Sequence, residues 1–312
     1  MEEYEFKLSD EYRNMALRDL REDDLIRKQS LEQMIEWIQK HPYIKSCRTD
    51  PKFLLAFLRK KKFNTMEVRT LLEDFLRFRE SNYRWFRMLT IKDKAVEDMI
   101  DTGYNIFFPK KDKNGRRYVW HRTGSVNPDT YNVDVSMRAM SLMFQTILHD
   151  EESQVGGITA IIDHAGLTWN HAKLLTIFEL REILGSYKVM PLRIKDVLIV
   201  NMPPFLHKVA EILDPFICNM FNMEKRKIYR DWEELRKVID VDVLPADLGG
   251  NERPTAEILK DFKEKIVAYE NETKDYPQLI YDSPNETKNW DTQKTENGGG
   301  GLAGSFRKLE ID

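Results

Sequence analysis

Residues 189–216 read VMPLRIKDVLIVNMPPFLHKVAEILDPF. The run VLIV has no polar alternation, which is typical of a strand buried on both faces. The chain then breaks at the two consecutive prolines of NMPP. Beyond the break, six apolar residues fall on one face of a helix: Phe205, Leu206, Val209, Ile212, Leu213 and Phe216. The stretch therefore predicts a buried strand followed directly by an amphipathic helix.

The same alternation of strand and helix runs through the middle of the chain. Residues 105–124 predict two strands around an Asn-Gly turn, and Val135 to His149 predict a helix. GGITAIIDHAG, at 156–166, predicts another strand buried on both faces, and residues 174–187 predict a crossover helix. KRKIYRD and DWEELRKVI, within 225–239, add a strand and a helix. This order predicts an α/β fold with a mixed or parallel sheet flanked by helices.

Residues 1–90 predict a separate, all-helical module. Asp50 followed by Pro51 is typical of a helix cap and the first helical position. Asn64 with Glu67 resembles a capping box at the start of a further helix. The N-terminal module is therefore expected to precede the α/β domain, which is assigned to residues 91–252.

The remaining segment, residues 253–312, is more polar. Thr255 to Glu270 predict one helix, and ENGGGG is typical of a flexible linker. The final SFRKLEID carries apolar residues that either dock on the body of the protein or belong to a disordered tail.

Composition excludes several classes of protein. Hydrophobic residues make up 41% and charged residues 32% of the 312 residues, which is typical of a soluble globular chain. A formal net charge of -3 argues against nucleic-acid binding. The chain has no apolar stretch of membrane-spanning length, and its acidic start lacks a signal-peptide core, so a cytoplasmic location is expected. Cys47 and Cys218 are expected to be reduced thiols.

Motifs for catalysis or cofactor binding are absent from the sequence, so neither an enzyme nor a bound metal or cofactor is expected. Residues 149–152, HDEE, could in principle hold a metal, but a solvated helix end is the preferred interpretation. Asp163 and His164 follow a predicted buried strand, where α/β proteins place their sites. They form either an acid–base pair or a hydrogen-bonded turn that opens the next helix.

Residues 10–252 resemble the CRAL-TRIO lipid-binding domain family, with its N-terminal helical module. The ending SFRKLEID is similar to that of insect members of the branch related to α-tocopherol transfer protein and cellular retinaldehyde-binding protein. The marks of the resemblance are Gly157 and Asp163 around the strand ITAII, Pro191, Asn201-x-Pro203, Leu244-Pro245 and Gly249-Gly250.

The resemblance implies a lipid cavity roofed by the helix after NMPP, which would act as a movable lid; ordinary packing of that helix in the core is the alternative. Met140 and Phe144 stand where the tocopherol protein has small hydroxyl side chains, which suggests a more apolar cavity of a different shape. The residues expected to face the cavity are Met140, Phe144, Ile147, Ala160, Ile162, Ile177, Leu180, Ile183, Leu184 and Met190.

Basic residues near the lid are the candidate contacts to an anionic or phosphoinositide-containing membrane. The resemblance implies this role, and an ordinary solvated basic face is the alternative. These residues are Arg59, Arg193, Lys195, Lys225 and Lys227.

Three functions follow. The first is a cytoplasmic carrier that binds a tocopherol-, retinoid- or carotenoid-like small molecule and exchanges it during transient, peripheral contact with membranes. The second is a phospholipid-exchange or phosphoinositide-presenting regulator. The third is a lipid-modifying enzyme centred on Asp163 and His164, for which no turnover is expected.

Overall fold

A five-stranded sheet forms the centre of the protein in a computed structural model, which describes residues 5, 7–174, 177–207 and 227–282. The spatial order of the strands is the same as their order along the chain. The first two strands pair antiparallel and the others pair parallel. The sheet is therefore mixed, which agrees with the predicted α/β fold with a mixed or parallel sheet. The strands are β2 (Asn105–Lys111), β3 (Arg117–Arg122), β4 (Ile158–Asp163), β5 (Ile194–Val200) and β6 (Lys227–Tyr229). A separate short strand, β1 (Ile44–Ser46), precedes them.

Both faces of the sheet are covered, which explains the apolar runs in β4 and β5. Ala160 and Ile199 face one core, while Ile161 and Leu198 face the other. The first core lies against α6 (Val133–Leu148), the helix predicted at 135–149. Gly157 lies directly before β4, and its φ of 85° is readily adopted only by glycine.

The N-terminal module is mostly helical but contains β1, so the prediction of an all-helical module was wrong in this detail; two of its helices begin at the caps that the sequence indicates. Asp50 accepts a hydrogen bond from the backbone N–H of Phe53, and Asn64 accepts one from Glu67. The helices are α1 (Asp10–Leu20), α2 (Asp24–Lys40), α3 (Pro51–Lys60) and α4 (Thr65–Ser81). A shorter helix, α5 (Lys94–Asp101), leads into the sheet.

The helices after α6 connect the parallel strands and close the fold. They are α7 (Glu151–Gly156), α8 (Trp169–Ala172), α9 (Ile177–Val189), α10 (Trp232–Leu235) and α11 (Thr255–Thr273). Residues 204–207 are also helical. The helix predicted for 231–239 is shorter than expected, because after Leu235 the chain tightens into i→i+3 hydrogen bonds such as that from Val238 to Leu235.

The segment after the α/β domain returns to the N-terminal module, a contact that the sequence did not reveal. Ile258, Phe262 and Ile266 of α11 are buried, and Phe262 stacks on Phe107 with 5.1 Å between ring centroids. Beyond α11, β7 (Ile280–Tyr281) pairs antiparallel with β1.

Candidate ligand site

The carboxyl ends of the parallel strands meet beside the first residues of the expected lid. His164, directly after β4, donates its backbone N–H to Val200 at the end of β5, at 3.0 Å. Asn201 follows with a left-handed φ of 56°, which turns the chain into Pro203 and the helical residues 204–207. We call this region the strand-end site. It is the edge of the sheet at which α/β proteins bind ligands.

Asp163 organises the strand-end site as an acceptor of four hydrogen bonds. Its Oδ2 accepts from the indole N–H groups of Trp120 at 3.1 Å and Trp232 at 2.8 Å. Its Oδ1 accepts from Asn201 Nδ2 at 2.8 Å and from the backbone N–H of Ala165 at 2.9 Å. Both oxygens of the buried Asp163 carboxylate therefore accept hydrogen bonds, and these link the end of β4 to three other segments of the chain. This arrangement agrees with the hydrogen-bonded turn and not with an acid–base pair.

His164 takes part in the same turn. Its Nδ1 lies 2.9 Å from Oγ1 of Thr123, and the Thr123 hydroxyl also donates to the carbonyl of Asp163 at 3.0 Å. These contacts hold the loop after β3 against the end of β4.

The residues expected to face a cavity separate into two groups by depth. Five are buried in the core on one face of the sheet: Met140, Phe144, Ile147, Ala160 and Met190. Four are only half-buried: Ile162, Leu180, Ile183 and Leu184. The half-buried group comes from the end of β4 and from α9, so part of its apolar surface remains accessible. The side chain of Ile177 lies outside the described residues.

Two polar side chains stand among the buried apolar residues, and hydrophobic periodicity alone gave no signal for either. The Tyr187 hydroxyl lies 3.1 Å from Sδ of Met140, and its ring contacts Phe144 edge-on at 5.8 Å. His121 is hydrogen-bonded through Nδ1 to Asn105, and burial lowers the pKa of His121 to about 4. The imidazole is therefore neutral at physiological pH, and this wall of the site carries no charge there.

An aromatic stack holds the first turn of the expected lid. Phe205 lies on Trp169 of α8 with ring centroids 4.3 Å apart and planes 24° apart. Trp169 is half-exposed, and its partnership with Phe205 was not predicted because the two residues are far apart in sequence. Leu206 is half-buried. Of the other lid residues, Val209, Ile212, Leu213 and Phe216 lie outside the described residues.

Arg59 does not belong to an exposed basic surface, contrary to expectation. It is fully buried and donates from Nε and Nη2 to both carboxylate oxygens of Glu22, at 2.9 and 2.8 Å. Its Nη1 donates to Glu151 at 2.9 Å and to Gln154 at 2.7 Å. A guanidinium at the buried end of α3 requires acceptors, and Glu22 after α1 together with Glu151 and Gln154 of α7 supplies them.

The other basic residues lie nearer the surface. Arg193 is half-buried and donates to the carbonyl of Gln154 at 3.2 Å. Lys195 is exposed; burial of part of the side chain, followed by repulsion from Arg193, lowers the pKa of Lys195 to about 8. Lys227 is exposed and forms an ion pair with Asp196. Lys225 lies outside the described residues.

The described residues contain neither a membrane-spanning helix nor a metal-binding group. The helices there are too short or too polar to cross a bilayer. The same residues bring together no group of three or more His, Cys, Asp or Glu side chains that could hold a metal ion.

Comparisons with known proteins match different shares of the chain. Residues 101–250 match the CRAL/TRIO domain. Clavesin-1 of Xenopus laevis is 28% identical over 230 residues, which are 72% of this chain and 68% of that protein. Clavesin-2 of Homo sapiens is 26% identical over 247 residues, which are 78% of this chain and 75% of that protein. The crystal structure of Sfh5 covers 81% of this chain and 92% of its own, at 14% identity and a TM-score of 0.48.

Proposed function

We propose that this protein is a non-enzymatic lipid carrier, because residues 101–250 match the CRAL/TRIO domain, whose family binds and transfers lipids. It binds an apolar small molecule at the strand-end site and exchanges it at membranes from the cytoplasm. The observation that carries the proposal is the half-buried apolar group of Ile162, Leu180, Ile183 and Leu184, which comes from β4 and α9.

The chemistry of the walls favours a ligand without charge. The described apolar side chains and the neutral His121 offer no counterion to an ionised group. Tyr187 offers a hydroxyl to a polar end. A tocopherol-, retinoid- or carotenoid-like molecule has this combination of a long apolar body and at most a small polar group.

Energetics favour unloading at a bilayer. Burial of about 400 Å² of apolar ligand surface contributes about 10 kcal/mol at about 25 cal/mol per Å², less the cost of ordering. Escape of such a ligand into water is slow, whereas a bilayer offers both the ligand and the lid another apolar environment. The exposed Lys195 and Lys227 are the proposed contacts with an anionic leaflet, with Arg193 behind them.

The direct test is to extract the purified protein with organic solvent and identify the bound molecule, with native mass spectrometry to give its stoichiometry. A neutral isoprenoid or retinoid at one per chain supports the carrier. A phospholipid would instead support the exchange or presenting function. A protein without bound lipid that also fails to take up retinol or tocopherol contradicts the proposal.

The stack of Phe205 on Trp169 gives a second test. Trp169→Ala removes a contact worth about 0.5–1.5 kcal/mol, so retinol transfer to vesicles, followed by fluorescence, is expected to accelerate about two- to tenfold. Tyr83→Ala is the matched control, because Tyr83 is an exposed aromatic residue of the N-terminal module. Equal rates for the two variants would show that the stack does not hold the lid.

A further inference from the structure

A pocket lies between the N-terminal module, α6 and α11, and its wall includes Met190 but no residue of the strand-end site. Its volume is about 300 Å³, at the lower end of the range for small-molecule sites. Phe53, Phe75, Phe86, Leu89 and Leu148 supply much of its apolar wall. The polar groups of its wall include Arg48, Lys52, Arg79, Gln145, His149, Tyr269 and Tyr276.

Arg79 has unsatisfied donors in this pocket. Its Nε and Nη1 are buried and have no hydrogen-bond partner among the described residues. The guanidinium lies over Phe86, 4.5 Å from the ring centroid, and 5.5 Å from that of Phe75. Stacked rings stabilise the face of the cation, but the N–H groups lie in its plane and still require acceptors.

A hydrogen-bonded series leads to another unsatisfied donor on the same wall. Arg48 Nη1 donates to the Tyr269 hydroxyl at 3.4 Å, and that hydroxyl donates to Gln145 Oε1 at 3.2 Å. The amide Nε2 of Gln145 is buried and has no acceptor within the described part of the chain. Two side chains of the pocket therefore present donors, at Arg79 and Gln145, for which the described protein supplies no oxygen.

Among the described charged side chains around the pocket, one positive charge has no carboxylate partner. Arg48 is paired with Asp50 through two hydrogen bonds of 2.8 and 3.0 Å. Lys52 is paired with Glu272 at 3.0 Å. Arg79 has neither a salt bridge nor a carboxylate acceptor among the described residues, and burial lowers the pKa of Arg79 only to about 10, so its charge persists at neutral pH.

We propose that this pocket, named here the Arg79 pocket, binds a small amphipathic monoanion: a carboxylate on an apolar tail. Arg79 and Gln145 would donate to the carboxylate oxygens while the phenylalanine and leucine side chains cover the tail. A single uncompensated positive charge matches a monoanion better than a phosphate dianion. The site is independent of the lipid carried at the strand-end site, and because α4, α6 and α11 all border it, its ligand would stabilise their packing.

The test uses sodium octanoate as the probe and the full-length chain. Calorimetric titration is expected to show binding of octanoate that is at least about tenfold tighter than that of octan-1-ol, because only the carboxylate offsets the buried charge. Arg79→Met keeps the bulk of the side chain and removes its donors, so it should weaken octanoate binding by at least about tenfold. Gln145→Met is the second variant, in case Arg79→Met does not fold.

Two control variants test whether octanoate binds in the Arg79 pocket or elsewhere. Arg77→Met changes an arginine of the same helix whose partners, Glu73 and Tyr281, lie outside the pocket, so octanoate affinity should not change. Ile162→Trp enlarges a half-buried side chain near the end of β4, at the strand-end site, and should also leave octanoate affinity unchanged. Octanoate binding that survives Arg79→Met and Gln145→Met, or that is lost in Ile162→Trp, would overturn the proposal. So would absence of binding, or a crystal structure grown with octanoate that shows only water in the Arg79 pocket.

Discussion

Arg59 and Arg79, on the successive helices α3 and α4, are both arginines with buried guanidinium N–H groups, and their surroundings are opposite. Arg59 donates to Glu22, Glu151 and Gln154. Arg79 stacks on Phe86, and two of its N–H groups have no acceptor in the described structure. The first cluster has its acceptors within the protein and fixes the segment after α1 against α3 and α7. The second is incomplete, which is the property expected of a binding site rather than of a structural one.

The difference predicts unequal effects on stability when each arginine is replaced. Arg59→Met leaves the Glu22 carboxylate buried without its main partner, and the free energy of unfolding should fall by about 3–5 kcal/mol. Arg79→Met removes an uncompensated buried charge, so its effect should lie within about 1 kcal/mol of zero or be stabilising. Urea unfolding of both variants measures the contrast.

The pair Arg59→Met and Glu22→Gln provides the control for this prediction. Because the two residues share one interaction, the double variant should lose less stability than the sum of the single variants. A loss from Arg79→Met as large as that from Arg59→Met would contradict the comparison and would assign Arg79 a structural role.

Acid should weaken the Arg59 cluster and leave the Arg79 pocket largely unaffected. Burial acts to raise the pKa of Glu22, but the hydrogen bonds and charges of Arg59 and Arg27 outweigh it and hold this pKa below 4.5. A depressed carboxylate pKa stabilises the fold above the unfolded value, and this contribution is lost as pH falls through the folded pKa. The destabilisation caused by Glu22→Gln should therefore shrink as pH falls below about 4.5.

Asp150 should extend the acid sensitivity to lower pH. Burial favours a higher pKa for Asp150, but Arg117 and Lys111 outweigh it and lower this pKa from 3.8 to about 2. Urea unfolding of wild type, Glu22→Gln and Arg79→Met between about pH 7 and pH 3 checks both statements. An Arg79→Met effect that varied with pH as strongly as that of Glu22→Gln would be inconsistent with them.

The smallest expected effect concerns the surface beside the Arg59 cluster. Lys195 has a pKa of about 8, with Arg193, Asp19, Arg116 and Lys62 as the charged neighbours that influence it. Lys195 gains its proton as pH falls from about 9 to 7, so association with anionic vesicles should strengthen over that range.

Lys195→Met should remove most of this pH dependence and cost about 1 kcal/mol of vesicle binding. Vesicle co-sedimentation measures both quantities. Lys260→Met replaces an exposed lysine of α11 and serves as the control. Equal binding curves for the two variants would remove Lys195 from the proposed membrane contact.

Local sequence predicted much of the fold. The cap at Asp50, the Asn-Gly turn at Gly115 and the unbroken apolar run of β4 each specify their own structure through neighbours within a few residues. The candidate site was predicted less completely. Phe205 was placed on the lid from its helical spacing, but its partner Trp169 was not, because stacking depends on how two distant segments meet.

The sequence by itself determined where helices and strands begin, which faces are apolar and the order of the α/β domain, because these depend on spacing along the chain. Only the tertiary structure decided the partners of charged and polar side chains. In the folded protein, Arg59 is buried against Glu22, and Asp163 accepts hydrogen bonds from two tryptophans. Nε and Nη1 of Arg79 have no acceptor among the described residues. Whether a buried polar group is structural or available for binding depends on acceptors that lie tens of residues away, and sequence spacing does not specify those.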